Sequence, residues 1–320
     1  MLRSRSLRAA AGVAAVLLAL TACSSSSDDA GDDGAASPGA SALPTVTIEG
    51  VGDVTVDPAA AAKLPAATAE AGEVSVATNA PYPPFIDFVE EGNLEDFQGL
   101  DYDLVTAIAA RLGIAAPFQQ QPFDGLIPGL QSGKFDAIVG GITDNAERQE
   151  VAVFVDYSAS GTGILVAKGN PEGITNLASL CGKEIAVQKA TTQVDLLGTY
   201  STDSCGSSPI KVTQYPQNTD ALTALLAGKA AAIAATKVTL VDIEKETGDK
   251  VELINDPENP NGYAASPNGI GFLKADQELA TAFQSGLQSL MDDGTYMKIL
   301  AKYAQEPIAI ETATINANVD

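Results

Sequence analysis

The sequence predicts an α/β fold with parallel sheets and crossover helices, and three observations carry that expectation. Short β-branched runs alternate with helical patterns from Glu73 onward. Those residues are too many for one small core and suit two lobes of about 120 residues each. The composition, 45% hydrophobic and 18% charged, is that of a chain with enough apolar surface to fold.

The elements follow in order. Arg3, Arg5 and Arg8 precede an apolar run from Ala9 to Leu20, the basic and hydrophobic regions of an export signal over residues 1–22, too short to span a bilayer. Leu20-Thr21-Ala22-Cys23 looks like a bacterial lipobox, so Cys23 is expected to be lipidated and to become the new N-terminus; an ordinary signal with an incidental cysteine is the alternative. Residues 23–72 are read as a lipid-anchored tether and N-terminal extension. Ser24 to about Thr45 has almost no large apolar residue and cannot order itself. Val46, Ile48, Val51, Val54 and Val56 are weakly strand-like, and Asp57-Pro58 opens an Ala-rich helical stretch. Strands are expected at Val74–Thr78, Ala137–Val139, Glu184–Gln188, Ile210–Gln214, Ala231–Ala235 and Gly269–Leu273. Asp101 stands where an N-cap belongs, ahead of Leu104, Ile108 and Leu112 at helical spacing, and Gly113 closes that helix. Asp276 opens a later helix whose apolar face is Leu279, Phe283, Leu287 and Leu290.

Composition excludes several functions. With no histidine, neither a histidine metal site nor a Ser-His-Asp or Cys-His nucleophile can be built, and no metal or cofactor is expected. A formal charge of −23 repels nucleic acid and anionic lipid headgroups. Membrane contact is expected through the Cys23 anchor only, on the outer face of the cell membrane.

The segments ATNAPYPPF (77–85), QGLDYDLVTAIAARLG (98–113), FDGLIPGLQSGKFDAIVGGITDNAERQEVAVFVDYS (123–158), LCGKEIAVQKATTQ (180–193) and DDGTYMKILAKY (292–303) together resemble the family 3 extracellular solute-binding proteins, the amino-acid receptors of ABC importers. The resemblance implies a periplasmic-binding-protein-like clamshell. Each lobe would be a sheet flanked by helices: lobe 1 from 73–165 plus 269–310, lobe 2 from 168–264. Two hinge strands would join them near Gly163–Ala167 and Gly271–Lys274. A monomer that hands a small carboxylate or amino acid to an ABC permease is the implied role. A ligand-sensing lipoprotein acting on a membrane receptor or kinase is the alternative. An enzyme is not expected, because no clear general acid falls in the cleft.

Residue chemistry supports a carboxylate site. Thr143 to Arg148 follows Gly140-Gly141 at the end of a buried strand and opens a helical turn, where backbone N–H groups and a planar Arg fork favour an anion. By resemblance, Arg148 and Thr143 hold the ligand's α-carboxylate, although a surface Arg tied to Glu147 or Glu150 would look the same. Thr191 and Thr192 match the second lobe's donors to that carboxylate, against a plain N-cap. Tyr82 and Phe123 match aromatics that sandwich the ligand side chain, unless they are core. Gln188 is a further candidate contact. Asn79 matches a position that is Asp in receptors for cationic amino acids, so its neutrality argues against a basic ligand.

One departure bears on the ligand. The family's Asp for the α-ammonium falls on Thr236, and an earlier Asp in the same strand pattern is Ala231. Lys189 and Lys237 are expected to add positive charge nearby. The expected ligand is therefore an acidic amino acid or a simple carboxylate. A shifted register is the alternative, with Asp195, Asp220 or Asp242 supplying the acid. Cys181 and Cys205, in an exported chain, are expected to form a disulfide within the second lobe.

Overall fold

The computed structural model describes residues 45–90 and 92–318. The export segment, Cys23 and the acidic tether lie outside them.

The extension at 45–72 is folded onto the first lobe. Strands β1 (Thr45–Ile48) and β2 (Gly52–Thr55) pair antiparallel and bury Ile48 and Val54. Asp57 caps α1 (Pro58–Ala61) by accepting from the N–H groups of Ala59 at 2.8 Å and Ala60 at 3.3 Å, with Pro58 in the first helical position where its missing N–H costs nothing. Helix α2 (Ala66–Ala71) then ends at a left-handed Gly72.

The first lobe follows with β3 (Val76–Thr78), a small hairpin of β4 (Asp87–Phe88) and β5 (Phe97–Gln98), α3 (Leu100–Leu112), β6 (Phe118–Gln120), α4 (Leu126–Gln131), β7 (Ala137–Ile138) and the single turn α5 (Ala146–Gln149). β3 pairs in parallel with β6 and β7. A long strand, β8 (Ala152–Ala167), leads to the second lobe: β9 (Glu184–Gln188), α6 (Thr192–Ser204), β10 (Lys211–Tyr215), α7 (Asn218–Leu226), β11 (Ala232–Thr236), α8 (Lys237–Thr247) and β12 (Val251–Leu253). β13 (Tyr263–Leu273) returns, and α9 (Gln277–Asp292), α10 (Thr295–Lys302) and β14 (Ala309–Ile315) complete the first lobe.

Strand order in the sheet is β10-β9-β11-β8-β13-β7-β3-β6, with β12 and β14 also paired to β8. The expected parallel pairing holds within each lobe, but β8 and β13 run antiparallel to each other and to β11 and β7. A chain that leaves one lobe and returns beside its own exit must do so.

The crossing lies earlier on β8 than the resemblance implied. Tyr157 still packs in the first lobe's apolar cluster, whereas Ile164 and Leu165 belong to the second lobe's clusters, so a first lobe reaching residue 165 is too long. Gly163 lies against Lys237 and Leu240, and Gly271 against Ile138 and Phe154, which places both inside lobes. Register between β8 and β13 breaks instead between Tyr263 and Ser266 and between Asn268 and Gly269. There Gly161 and Gly262 touch backbone to backbone, and a Cβ on Gly161 would sit 2.6 Å from the Gly262 carbonyl carbon.

Helix α3 also starts before the expected cap. Gly99, at φ +124, is the N-cap, and a Cβ there would lie 2.5 Å from the Phe85 carbonyl oxygen. The N–H groups of Leu100 and Asp101 bond to Pro84 and Phe85, which leaves the Asp101 side chain free to turn inward. The apolar faces Leu104-Ile108-Leu112 and Leu279-Phe283-Leu287-Leu290 are buried together where α3 packs on α9.

Cys181 and Cys205 are disulfide-bonded across 24 residues, tying the start of β9 to the end of α6. Closing a loop of that length restricts the unfolded chain, and the double variant Cys181→Ser/Cys205→Ser is expected to lose about 3 kcal/mol. Urea unfolding of both proteins measures this, and an unchanged midpoint would refute a stabilising role.

Candidate functional site

The loops that follow β3, β7, β9 and β11 converge between the lobes, beyond the carboxyl ends of parallel strands where α/β sheets place their ligands. They enclose an inner cavity of about 10 Å³, space for about one water. Tyr82, Phe123, Gly141, Thr143 and Arg148 line it from the first lobe, and Gln188, Thr191, Thr192 and Thr236 from the second. Gln193 joins them, a residue not expected from the motifs although it lies in the same first helical turn. Its amide donates to the Thr162 hydroxyl at 3.2 Å.

Asn79 and Gly140 stand behind the cavity. The Asn79 amide donates to the Gln121 carbonyl at 2.9 Å, while its oxygen accepts from Gln188 Nε2 at 2.8 Å, so it joins the two lobes. Gly141 lines the cavity with both backbone groups engaged. Its N–H donates to Asp101 Oδ2 at 2.8 Å, and its carbonyl accepts from Asn268 Nδ2 at 3.2 Å.

Arg148 is positioned by its own turn. The Asn145 side chain accepts from the Arg148 N–H at 2.8 Å, capping α5. The guanidinium then donates through Nη1 to the Thr143 carbonyl at 2.8 Å and through Nη2 to the Ala190 carbonyl of the other lobe at 3.2 Å. The Phe123 ring lies 5.6 Å from it. Among the described residues it makes no ion pair within 4 Å, so the surface pairing with Glu147 or Glu150 is not what holds it. Burial lowers its pKa to about 10, with the more distant Asp195, Glu147 and Asp144 opposing that shift.

The second lobe's polar groups are similarly placed. Thr191 is the N-cap residue of α6, but its hydroxyl donates back to the Gln188 carbonyl at 2.7 Å rather than capping the helix. Thr236 is buried, and its hydroxyl accepts from the Tyr82 hydroxyl at 2.8 Å while its N–H donates to the same oxygen at 3.0 Å. Burial raises the Tyr82 pKa, partly offset by those bonds. Tyr82 stacks on Phe85, with ring centroids 6.1 Å apart.

Neither expected lysine charges the inner cavity. Lys189 pairs with Asp124 at 2.7 Å across the lobes, and Lys237 donates to the Pro260 carbonyl at 2.7 Å. Asp195, Asp220 and Asp242 also stay out of it. Asp195 faces a wider outer cavity of about 470 Å³ that shares Phe123, Arg148 and Thr191 with the inner one and is lined also by Asp124, Glu147 and Glu150. Burial raises the Asp195 pKa, with repulsion from Glu147 adding to the shift and Arg148 reducing it.

Comparison with known proteins places this geometry in a lineage. Residues 74–306 match the bacterial extracellular solute-binding proteins, family 3. The arginine-binding protein of Corynebacterium glutamicum is 30% identical over 258 residues, covering 80% of this chain and 82% of its own. The lysine/arginine/ornithine-binding periplasmic protein of Escherichia coli K12 is 30% identical over 233 residues, 72% and 86% of the respective chains. Among solved structures, an ancestral arginine-binding protein bound to arginine aligns with a TM-score of 0.65 at 31% identity, over 72% of this chain and 98% of that one. An ancestral amino-acid-binding protein described as a precursor of cyclohexadienyl dehydratase gives 0.62 at 28% identity, over 74% and 97%.

Asp101, behind Gly141, generates a prediction. It is fully buried, and desolvation pushes its pKa from 3.8 up to about 7, with the nearby Tyr157 hydroxyl and the Gly141 N–H bond opposing. The folded chain thus keeps a proton that the unfolded chain releases. Stability from this group is full below about pH 4, falls as pH rises toward 7, and is level above that. Asp101→Asn keeps an oxygen for the Gly141 N–H and cannot ionise. Its melting temperature relative to wild type is expected to rise between pH 5 and pH 8, and a pH-independent difference would contradict this.

Proposed function

The chain belongs to the family 3 bacterial extracellular solute-binding proteins and has their type II periplasmic-binding-protein fold, and from that premise we propose that it captures a small carboxylate, an acidic amino acid or a related acid, and delivers it to an ABC permease. It is an extracytoplasmic binding protein and not an enzyme. A lipid anchor on Cys23 would hold it to the membrane.

The charge of the inner cavity carries this reading: Arg148 is the single charged residue among the described residues lining it. A carboxylate would exchange two neutral carbonyl acceptors for a charge-assisted, bidentate pair. An α-ammonium would meet the Thr236 hydroxyl, already engaged by Tyr82, instead of an acid. Entry requires the lobes to part, because a space of about 10 Å³ admits no amino acid. Opening breaks the contacts Tyr82–Thr236, Asn79–Gln188, Arg148–Ala190 and Lys189–Asp124, and closure over a ligand restores a cross-lobe set.

A second reading has its own observation. Asp195 and Glu147 beside Arg148 would suit the cationic end of a basic amino acid reaching into the outer cavity, and the relatives named above for arginine or lysine favour it.

Calorimetry against glutamate, aspartate, succinate, glutamine, arginine and lysine separates the two. Glutamate, aspartate or succinate is expected to bind best. Arg148→Ala should weaken that ligand more than a hundredfold, since removing one partner of a buried charge pair costs about 3–5 kcal/mol. Thr236→Asp should shift preference toward glutamine. Submicromolar arginine or lysine binding to the wild type would overturn the acidic assignment.

The anchor is tested in cells. Cys23→Ala is expected to move the protein from the membrane fraction into the soluble extracytoplasmic fraction, because two acyl chains supply the stable attachment. A variant still pelleting after a high-salt wash would refute it.

A further inference from the structure

The turn that carries Thr143 and Arg148 is held from behind by residues 314–318, which lie beyond the family match ending at 306. Asp144, between the two ligand-facing residues, is fully buried. Its Oδ1 accepts from Gln149 Nε2 at 2.7 Å and its Oδ2 from the Asn318 N–H at 3.2 Å. Asn318 Nδ2 donates to the Asp144 carbonyl at 2.9 Å, and Gln149 Nε2 donates also to the Asn318 carbonyl at 2.7 Å. On its other side the turn is tied to β13, where the Asp144 N–H donates to the Pro267 carbonyl at 2.9 Å.

The segment reaching Asn318 is itself anchored to β8. The Asn316 N–H donates to the Phe154 carbonyl at 3.0 Å, and Asn316 Oδ1 accepts from the Phe154 N–H at 2.8 Å. Asp156 Oδ2 accepts from the Ala317 N–H at 2.9 Å and the Thr314 hydroxyl at 3.3 Å.

We infer that Asn318 is a positioning residue for the carboxylate site, acting through Asp144 and Gln149 to hold Thr143 and Arg148 in receiving geometry. The inference rests on the proposed carboxylate role of Arg148. Its physical basis is the shortness of α5: one helical turn of four residues cannot fix its own orientation. A bidentate fork must nevertheless be held within about 0.5 Å and 10–20° of its productive pose. Asn318 supplies a backbone donor, a side-chain donor and a backbone acceptor to that one turn, and couples it to β8. Without these contacts, the turn would rest on the Asn145 cap, the Thr143–Asn268 bridge and Pro267 bond to β13, and the Lys274 ammonium on the Gln149 carbonyl. None of these braces the Asp144 carboxylate, and ordering the turn would oppose ligand binding.

The test compares wild type with Asn318→Gly, which removes the side-chain donor, and with Ala317→Pro/Asn318→Gly, which also removes the N–H donor to Asp156. Hydrogen exchange of residues 143–149 needs no ligand. It is expected to quicken at least tenfold in the double variant while β9, β10 and β11 keep their protection and the melting temperature shifts little. Calorimetry with glutamate is expected to show a fivefold to tenfold loss of affinity, with Asn318→Gly intermediate. Unchanged exchange at 143–149, or a loss of protection spread evenly over both lobes, would overturn the inference. If glutamate fails to bind even the wild type, the acidic-ligand reading falls and the exchange measurement still decides the role of Asn318.

Discussion

A half-buried guanidinium with no carboxylate partner within 4 Å among the described residues is the condition around which the cleft is built. Withdrawing such an ion even partly from water carries a desolvation cost. Here the cost is offset by two backbone carbonyls, one from each lobe, and by the face of Phe123. None of these is a full counter-charge. On the proposed reading, a ligand carboxylate would complete the ion pair that this site leaves open. Because one carbonyl comes from Thr143 and the other from Ala190, the same side chain that would recognise a ligand also bridges the lobes.

That bridging works because the lobes are two cores on one sheet. β8 pairs with β13 in the first lobe and with β11 and β12 in the second, and between the lobes the β8–β13 register breaks where Gly161 meets Gly262 without side chains in the way. The cross-lobe contacts include polar pairs such as Tyr82–Thr236 and Asn79–Gln188, beside the packing of Val238 of α8 against the first lobe's core. Polar contacts of this kind exchange readily with water, so each contributes little net stability to the closed form. A bound ligand would then decide the balance.

The rest of the surface works against an anionic ligand at long range, since the chain carries a formal charge of −23. Salt limits that field to about 8–10 Å, so on the proposed reading Arg148 and its neighbours would weigh more on affinity than net charge. The acids of the outer cavity lie within that range, which makes Glu147 and Asp195 the groups that temper the positive site. The segments outside the family match are not ornament either. The β1–β2 hairpin contributes Ile48 and Val54 to the first core, and residues 314–318 brace the turn bearing Arg148.

Much of this was written in local sequence. Alternating β-branched runs and helical spacing specified the α/β class, because periodicities of 2 and 3.6 are properties of the backbone and need no partner. The buried faces of α3 and α9, the Asp57-Pro58 start of α1 and the residues that gather around Arg148 were likewise legible, since each lies in a short motif. Long-range contacts were not. Asp101 looked like an N-cap and is instead a buried acceptor for Gly141, a residue 40 positions away. Lys189 and Lys237 looked like cleft charges, and each is occupied by a partner that only folding brings near. β8 and β13 lose register between the lobes, and Asn318 meets Asp144 across 174 residues. Sequence alone determined which elements form and which residue types face one another in a motif. Tertiary structure decided which of their polar groups remain free to bind, because a donor or acceptor is claimed by whatever the fold places within about 3 Å of it.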